Sequence, residues 1–575
     1  MSCFGKGPLS QGFPVWDSGQ QESRLPEEGF YSLVADGRGG GGCIASPKGI
    51  KHFLQFMDDP ALASELVFGL VGPLGTDLGA AAQVLKDALA QVRYESEVYR
   101  LSRLMRDLSG EPWRDLQDGP RDTTIDAHMT AGNKLRQTLG RNDAMALLGL
   151  IAIQEFREQR TGEPTKPLPH FAHILNSLKR PEEVRTLRRI YGPSLVVLAA
   201  YAPRPRRLQD LARRIAESYF SNQSGDYLTQ AERLLRRDES EIGDEYGQNV
   251  EETFPVADIV INTTDHASMV KSVQRAIELL FGNVFITPNS DEQGMYLARA
   301  AALRSASLAR QIGAVICRQD GSVVALGMNE VPKSGGGAYW CSDENDGRDF
   351  MWGYDTSDRM RENIFGEILQ KLKDAGWLNS SRAEQPIPDL VAETLRTGNP
   401  PIMKGAHFLG TVDYVRAVHA EMAAITDAVR HGVSTAQCTL YTTTFPCHDC
   451  AKHIVAAGIT RVVYIEPYRK SLVQELYPDS VVVDPADSCM GKVRFEPFVG
   501  VAPRRYSDLF GLSTTKRKSK DGSLLQWRRA EAVPRLPEYM PSAVARLAAE
   551  QDEIRLFLGQ LKDKGLAEPK DEIHT

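Results

Sequence analysis

Apolar positions along this chain alternate between short unbroken runs and longer stretches with helical spacing. ELVFGLV (65–71) is a short continuous apolar run, the pattern of a strand covered on both faces. The turn GPLGTD follows, and then LGAAAQVLKDALAQV with the spacing of a helix. SLVVLAAYA (194–202) and ADIVINT (257–263) are further strand candidates with helical stretches between them, so the order predicts a parallel α/β sheet. RDESEIGDEYGQNVEETF (237–254) is acidic and polar and predicts loop with short helical turns. In SMVKSVQRAIELLF, Met269, Val270, Val273, Ile277 and Leu280 fall on one helical face.

A second unit opens at DEQGMYLARAAALRSASLAR, predicted as one helix. GAVICRQDGSVVALGMNE carries two β-rich runs around Asp320-Gly321 and predicts a hairpin. A loop-rich stretch comes next. The remainder alternates helix, strand (CTLYTTT), helix and strand (RVVYIEP), with KVRFEPF as a further strand. The pattern predicts a three-layer α/β/α unit on a mixed sheet. The tail ends in an amphipathic helix around 544–561. The expected organisation is therefore a flexible Gly-rich leader over 1–55, a nucleotide-binding unit over 56–284, a catalytic unit over 285–500 and an extension over 501–575.

Composition narrows the classes. The chain has 575 residues, is 42% hydrophobic and 25% charged, and carries a formal net charge of −7. That is a globular balance of two to four domains. It argues against bulk nucleic acid as the main partner, which wants a basic face. No apolar run approaches the roughly 20 residues that span a bilayer, and MSCFGKGPLSQGF has neither an apolar signal core nor a transit-like arginine series. The eight cysteines are sparse and irregular, unlike a disulfide framework, so a reduced, cytoplasmic protein is expected.

The chemistry concentrates in HAEMAAITDAVRHGVSTAQCTLYTTTFPCHDCAKHIVAAG (419–458). His419 offers an imidazole nitrogen; Cys447 and Cys450 offer thiolates from the first turn of a helix, where Pro446 suits the cap region. Three protein ligands leave the fourth tetrahedral position of a zinc ion for water, the mark of a catalytic site. Zinc lowers the pKa of bound water from about 15.7 towards 7. Glu421 is placed to take that water's proton and pass it to a leaving amine. A lone Cys-x-x-Cys is often redox or incidental, and a lone His-x-Glu means little. Together, in this order, they match the His-x-Glu…Pro-Cys-x-x-Cys signature of zinc nucleobase deaminases. His448 and His453 read as bystanders, and Cys438 as core.

The segments ARQIGAVI, GMNEVP, VHAEMAAI and LYTTTFPCHDCAKHIVAAGITRVVY resemble the deoxycytidylate deaminase branch of the cytidine deaminase superfamily over about 291–498. The resemblance implies that His419, Cys447 and Cys450 hold zinc and that Glu421 shuttles protons. It also implies that Asn329, within Gly327-Met328-Asn329-Glu330, contacts the substrate sugar; the family's turn is Gly-Tyr-Asn-Gly, so the neighbours differ. An insertion over 341–410 is much longer than in a minimal deaminase and leaves the choice of mono- or triphosphate open. Arg304, Ser307 and Arg310, on the predicted opening helix, are phosphate candidates against a solvated-face alternative.

In FGLVGPLGTDL, Gly72, Gly75, Thr76 and Asp77 lie between strand and helix, where backbone N–H groups can cradle phosphate. A strict P-loop reads G-x-x-x-x-G-K-[ST]. Here Leu70 replaces the first Gly and Thr76 the Lys, so nucleotide binding without efficient phosphoryl transfer is expected, with a plain strand–helix turn as the alternative. The arginines of YAPRPRRLQDLARRI resemble the lid of nucleoside monophosphate kinases; a solvated helix face is the other reading. The whole layout, a P-loop NTPase-like α/β domain before a cytidine deaminase-like α/β/α domain, resembles the bacterial anti-phage deoxycytidine nucleotide deaminases. That likeness implies deamination of dCTP and dCMP during infection, a regulatory nucleotide at the first domain, a homo-oligomer, and the inhibitory small RNA found in some relatives. The competing class is a polynucleotide deaminase acting on RNA or single-stranded DNA, which needs a basic channel and stacking aromatics.

Overall fold

The computed structural model describes residues 65–567 except 242, 399–400, 405, 412–413, 469–470, 486–490, 513–515 and 536–542. The expected leader over 1–55 lies outside the described residues. Among the described residues no helix is long and apolar enough to cross a membrane.

The first half is a sequence of strand–helix units. β1 (Leu66–Val71) leads to α1 (Leu78–Gln91) and β2 (Glu95–Arg100). Two long helices follow, α2 (Arg121–Leu139) and α3 (Ala144–Thr161), and then β3 (Phe171–Leu178). Next come α4 (Pro181–Tyr191), β4 (Leu195–Tyr201), α5 (Arg204–Ser218), α6 (Leu228–Glu239), β5 (Ile259–Asn262) and α7 (His266–Leu280). The strands order as β5-β4-β1-β3-β2, all parallel, with β1 central. Helices cover both faces, which explains why β1 is apolar at every position except Gly69. Val67 and Val71 face a core shared with α3 and α4, whereas Leu66, Phe68 and Leu70 face one shared with α1 and α7.

The second half begins with α8 (Ser290–Ala302) and the antiparallel hairpin β6 (Gly313–Cys317) and β7 (Val323–Met328). The insertion forms α9 (Thr356–Asp374) and α10 (Ile387–Leu395), packed on one another. α11 (Ala420–Arg430), β8 (Thr439–Thr444), α12 (His448–Ala456), β9 (Arg461–Glu466), β10 (Val481–Val483) and β11 (Val493–Pro497) complete the unit. The sheet order is β10-β11-β9-β8-β6-β7, parallel from β10 to β8 and antiparallel at β6 and β7. α8 covers one face and α11 with α12 the other, the mixed three-layer arrangement expected.

The chain then returns to the first sheet. β12 (Gly500–Val501) pairs antiparallel with β5 as its edge strand, and α13 (Pro503–Phe510) follows. α14 (Ala543–Asp563) packs Ile554, Phe557 and Leu561 into the first core. Buried Glu292 of α8 bonds Arg275 of α7 (2.7 Å) and the Val501 amide (2.9 Å), tying both halves together.

Two expectations change. α8 ends at Ala302, so Arg304, Ser307 and Arg310 lie in the following loop rather than on the helix. The Ser305 hydroxyl donates to the Asn329 carbonyl (2.7 Å) and the Ala306 amide to Glu330 (2.8 Å); these bonds to the end of β7 hold the chain off the helical path. Strands β2 and β3 were not foreseen: β2 is polar with only Tyr99 buried, and His173 interrupts the apolar run of β3.

Candidate metal centre

Two helix N-termini converge on the site. His419 caps α11 with an extended backbone, and Cys447 caps α12, its Sγ accepting the Cys450 amide at 3.4 Å. A thiolate there faces the positive end of the helix dipole. Thiols of Cys447 and Cys450 lie 3.3 and 3.4 Å from His419 Nδ1. All three ligand atoms lie within 4.8 Å of one another. Both cysteines are buried.

Glu421, two residues into α11, is 4% exposed. Its Oε2 lies 3.4 Å from Cys450 Sγ, and its Oε1 accepts the Thr442 hydroxyl at 3.4 Å. Burial, then the neighbouring Cys447, push its carboxyl above the usual range. Hydrogen bonds from Cys450 and His419 pull the Cys447 thiol down to about 4, while the bond to Cys447 and burial raise Cys450 well above its ordinary value. His419 is raised chiefly by its bond to Cys447. An imidazole with two close, buried thiols is the donor set of a zinc centre.

The hairpin brings in the Asn329 segment. Glu330 and Val418 exchange backbone hydrogen bonds (3.3 and 3.0 Å), placing Asn329 beside the residue that precedes His419. The approach is tight enough that a Cβ on Gly327 would sit 2.1 Å from the Ala420 carbonyl. Asn329 Oδ1 accepts the Ile312 amide (2.7 Å), and its Nδ2 donates to the Arg310 carbonyl (2.7 Å). Its amide group therefore braces the loop that carries Arg310.

Sequence reasoning missed the wall opposite. Phe445 donates its amide to the Glu466 carbonyl (2.7 Å), and Ser471 donates to the Pro446 carbonyl (2.8 Å). Arg310 pairs with Glu466 (3.7 Å) and lies over the Tyr468 ring. Burial and then Cys447 raise the Tyr468 hydroxyl, while Arg310 and Arg361, the latter from α9 of the insertion, oppose them. No motif spacing signals residues that reach the site through the loop after β9. His448 and His453 contribute no ligand atom to the His419–Cys447–Cys450 group, and Cys438 is buried core.

The Gly72–Asp77 turn lies at the carboxyl end of β1 but is tied to the protein itself. The Leu74 amide donates to Asp238 Oδ2 (2.7 Å), and Asp238 also pairs with Lys179 (2.8 Å), whose ammonium bonds the Gly72 carbonyl (2.9 Å). Gly75 has φ +87°, and a Cβ there would lie 2.4 Å from the Arg207 carbonyl. Thr76 donates to the Pro73 carbonyl, and Asp77 caps α1 while pairing with Arg214 (3.1 Å).

The family model for the cytidine and deoxycytidylate deaminase zinc-binding region matches residues 288–466. Zinc is the cofactor of that region, and His419, Cys447 and Cys450 are the group within it that could hold the ion. The chain is similar to a deoxycytidylate deaminase of Enterobacteria phage T2, 48% identical over 54 residues, which is 9% of this chain and 29% of the phage protein. It is similar to a probable deoxycytidylate deaminase of Drosophila melanogaster, 26% identical over 175 residues, 30% of this chain and 58% of the fly protein. The chain thus spans under a third of the phage protein's length and little over half of the fly protein's. A solved structure of the dCMP deaminase of cyanophage S-TIM5 in complex with dCMP and dUMP aligns over 37% of this chain and 99% of its own, with 19% identity and a TM-score of 0.20.

Proposed function

We propose that this protein is a zinc-dependent hydrolytic deaminase of deoxycytidine nucleotides, converting dCMP or dCTP to dUMP or dUTP. It would deplete dCTP in defence against phage. The observation that carries the reading is the convergence of His419, Cys447 and Cys450 beside the buried carboxylate of Glu421. Zinc held there would activate a water for attack on the cytosine ring. Glu421 receives the water proton at a carboxylate oxygen and returns it to the departing amine, its burial favouring the protonated intermediate state. Thr442 orients Glu421 through its hydroxyl. Asn329 borders the substrate sugar and fixes Arg310, which with Arg361 supplies positive charge near Tyr468 for the phosphate.

The first unit is read as a P-loop kinase-like regulatory domain over 56–284, preceding a catalytic domain over 285–500 and an extension over 501–575. The open carboxyl edge of a five-stranded parallel sheet with β1 at its centre supports nucleotide binding there, although the Gly72–Asp77 turn itself is filled by Asp238 and Lys179. The assembly is read as a homo-oligomer.

One feature favours the polynucleotide reading. The insertion region exposes Trp340 and Trp352, with Arg304 and Arg416 stacked on them at 3.2 and 3.6 Å. Aromatic and arginine surfaces of this kind stack single-stranded bases. The deciding assay follows ammonia release and product mass from dCMP, dCTP, cytidine and a cytosine-containing oligonucleotide. Turnover of the free nucleotides alone is expected; turnover confined to the oligonucleotide would replace the first reading with the second.

A further inference from the structure

A cavity of about 1030 Å³ lies between the two sheets. Tyr201 at the end of β4 and Pro73 just beyond β1 line one side. Phe445, Pro467, Val483 and Pro497, at or just beyond the ends of β8, β9, β10 and β11, line the other. The parallel strands of both sheets therefore point their carboxyl ends at one space, the place where α/β sheets bind ligands. Its volume is at the upper end for small-molecule sites.

Its two walls differ. The second sheet and the loop beyond it contribute the rings of Phe445, Tyr464 and Tyr468. The first-sheet side contributes Arg204, Arg207 and Arg236: Arg204 and Arg236 share Glu232 (3.0 and 2.7 Å), Arg204 and Arg207 share Glu239 (3.0 and 3.2 Å), and Arg207 also donates to the Ala202 and Leu74 carbonyls (3.1 and 3.3 Å). Asp484 is engaged elsewhere, by the Tyr201 hydroxyl (2.5 Å) and the Arg204 amide (2.7 Å), and Glu251 is the remaining acid on the wall.

We propose that this cavity is a binding site for a nucleoside phosphate, its base against the aromatic wall and its phosphate on the arginine cluster. Guanidinium groups match phosphate geometry, and aromatic rings take a flat heterocycle on their faces. The Leu74 amide of the Gly-rich turn is taken by Asp238, so the phosphate is received by α5 and α6 rather than by that turn. The proposal refines where the regulatory nucleotide of the reading above binds. Ser471, which lines the cavity, bonds the Pro446 carbonyl, and Phe445 stands two residues before Cys447. Occupancy is thus felt by the segment that carries the metal ligands.

The test is calorimetric titration of the full chain with ATP, GTP and dTTP, their monophosphates and their nucleosides. None carries cytosine, so failure of the deaminase reading leaves this result untouched. Arg236→Glu and Gln474→Trp alter exposed side chains on the cavity wall, so neither threatens folding. The expected result is that at least one nucleotide binds, its nucleoside binds far more weakly, and both variants weaken binding about tenfold or more, whereas Glu421→Gln does not. No binding by any probe at roughly millimolar concentration, equal binding of nucleoside and nucleotide, or affinity unchanged in both variants would overturn it.

Discussion

Two turns in this molecule have the same plan: a buried parallel strand runs into a short turn, and a helix begins with its amides facing forward. After β1 the turn is closed from within. Asp238 reaches the Leu74 amide from 164 residues away and lies fully buried against Lys179. After β8 the chain places Cys447 and Cys450, whose thiols, among the described residues, bond each other's segment, His419 and Glu421. An anion-attracting helix start therefore becomes a reactive site when the chain withholds an internal counter-charge, and a structural joint when it supplies one.

The sharpest way to break the contrast is at Glu421. Glu421→Gln keeps the shape and removes the proposed proton carrier, so kcat should fall roughly a hundred- to ten-thousand-fold. Zinc content by elemental analysis should stay unchanged, because Glu421 lies outside the ligand group. Full activity in this variant would show that the carboxylate does not carry the proton.

Asp238→Ala tests the other turn. It leaves the Leu74 amide and the Lys179 ammonium without their buried partner, an expected loss of about 3–5 kcal/mol in urea unfolding. Deamination per folded molecule should be little changed. A neutral effect on stability would mean that solvent or a ligand fills the same seat.

A smaller loss is expected from pH. Glu65 is buried and bonds Arg157 (2.9 Å) and His173 (2.9 Å) at the edge of the first core. Burial opposes its charge, but Arg157 and then His173 outweigh it and hold the carboxyl down to about 2, from 4.5. A depressed carboxyl stabilises the fold above its unfolded value, and that stability is lost as pH falls from 4.5 towards 2. The loss should approach about 3 kcal/mol. Unfolding midpoints at pH 7, 4.5 and 3 check it, with Glu65→Gln removing the dependence.

How much of this was readable beforehand follows from the same physics. β1, β4 and β5 are legible because burial on both faces demands unbroken apolar runs. The metal group is legible because its ligands need fixed residue types at short spacing. β3 is not, because His173 looks polar in sequence yet is buried between Tyr99 and Glu65, its ring bonding both at 2.9 Å. Asp238 reads as one acid in an acidic stretch, and only the fold, which brings the end of α6 to the turn after β1, reveals its partner. The loop after α8 escapes for a related reason: bonds from Ser305 and Ala306 to Asn329 and Glu330 override a strong helical pattern.

The finest test of the comparison lies in how the open turn is supported. Thr442 on β8 is fully buried, and its hydroxyl bonds Glu421 Oε1 (3.4 Å) and the Thr444 carbonyl (3.1 Å). It is neither one of the three ligand residues nor a lining residue of the cavity, so on the proposed mechanism its contribution is orientation of Glu421. Thr442→Val keeps the β-branched shape and deletes the hydroxyl. Losses on removing a support of this kind are roughly ten- to a hundred-fold. The fall should appear in kcat with KM unchanged and zinc retained, and Thr442→Ser should restore most of it. If the valine variant instead raised KM alone, Thr442 would belong to substrate binding, and the closed and open turns would differ in their ligands but not in how they are braced.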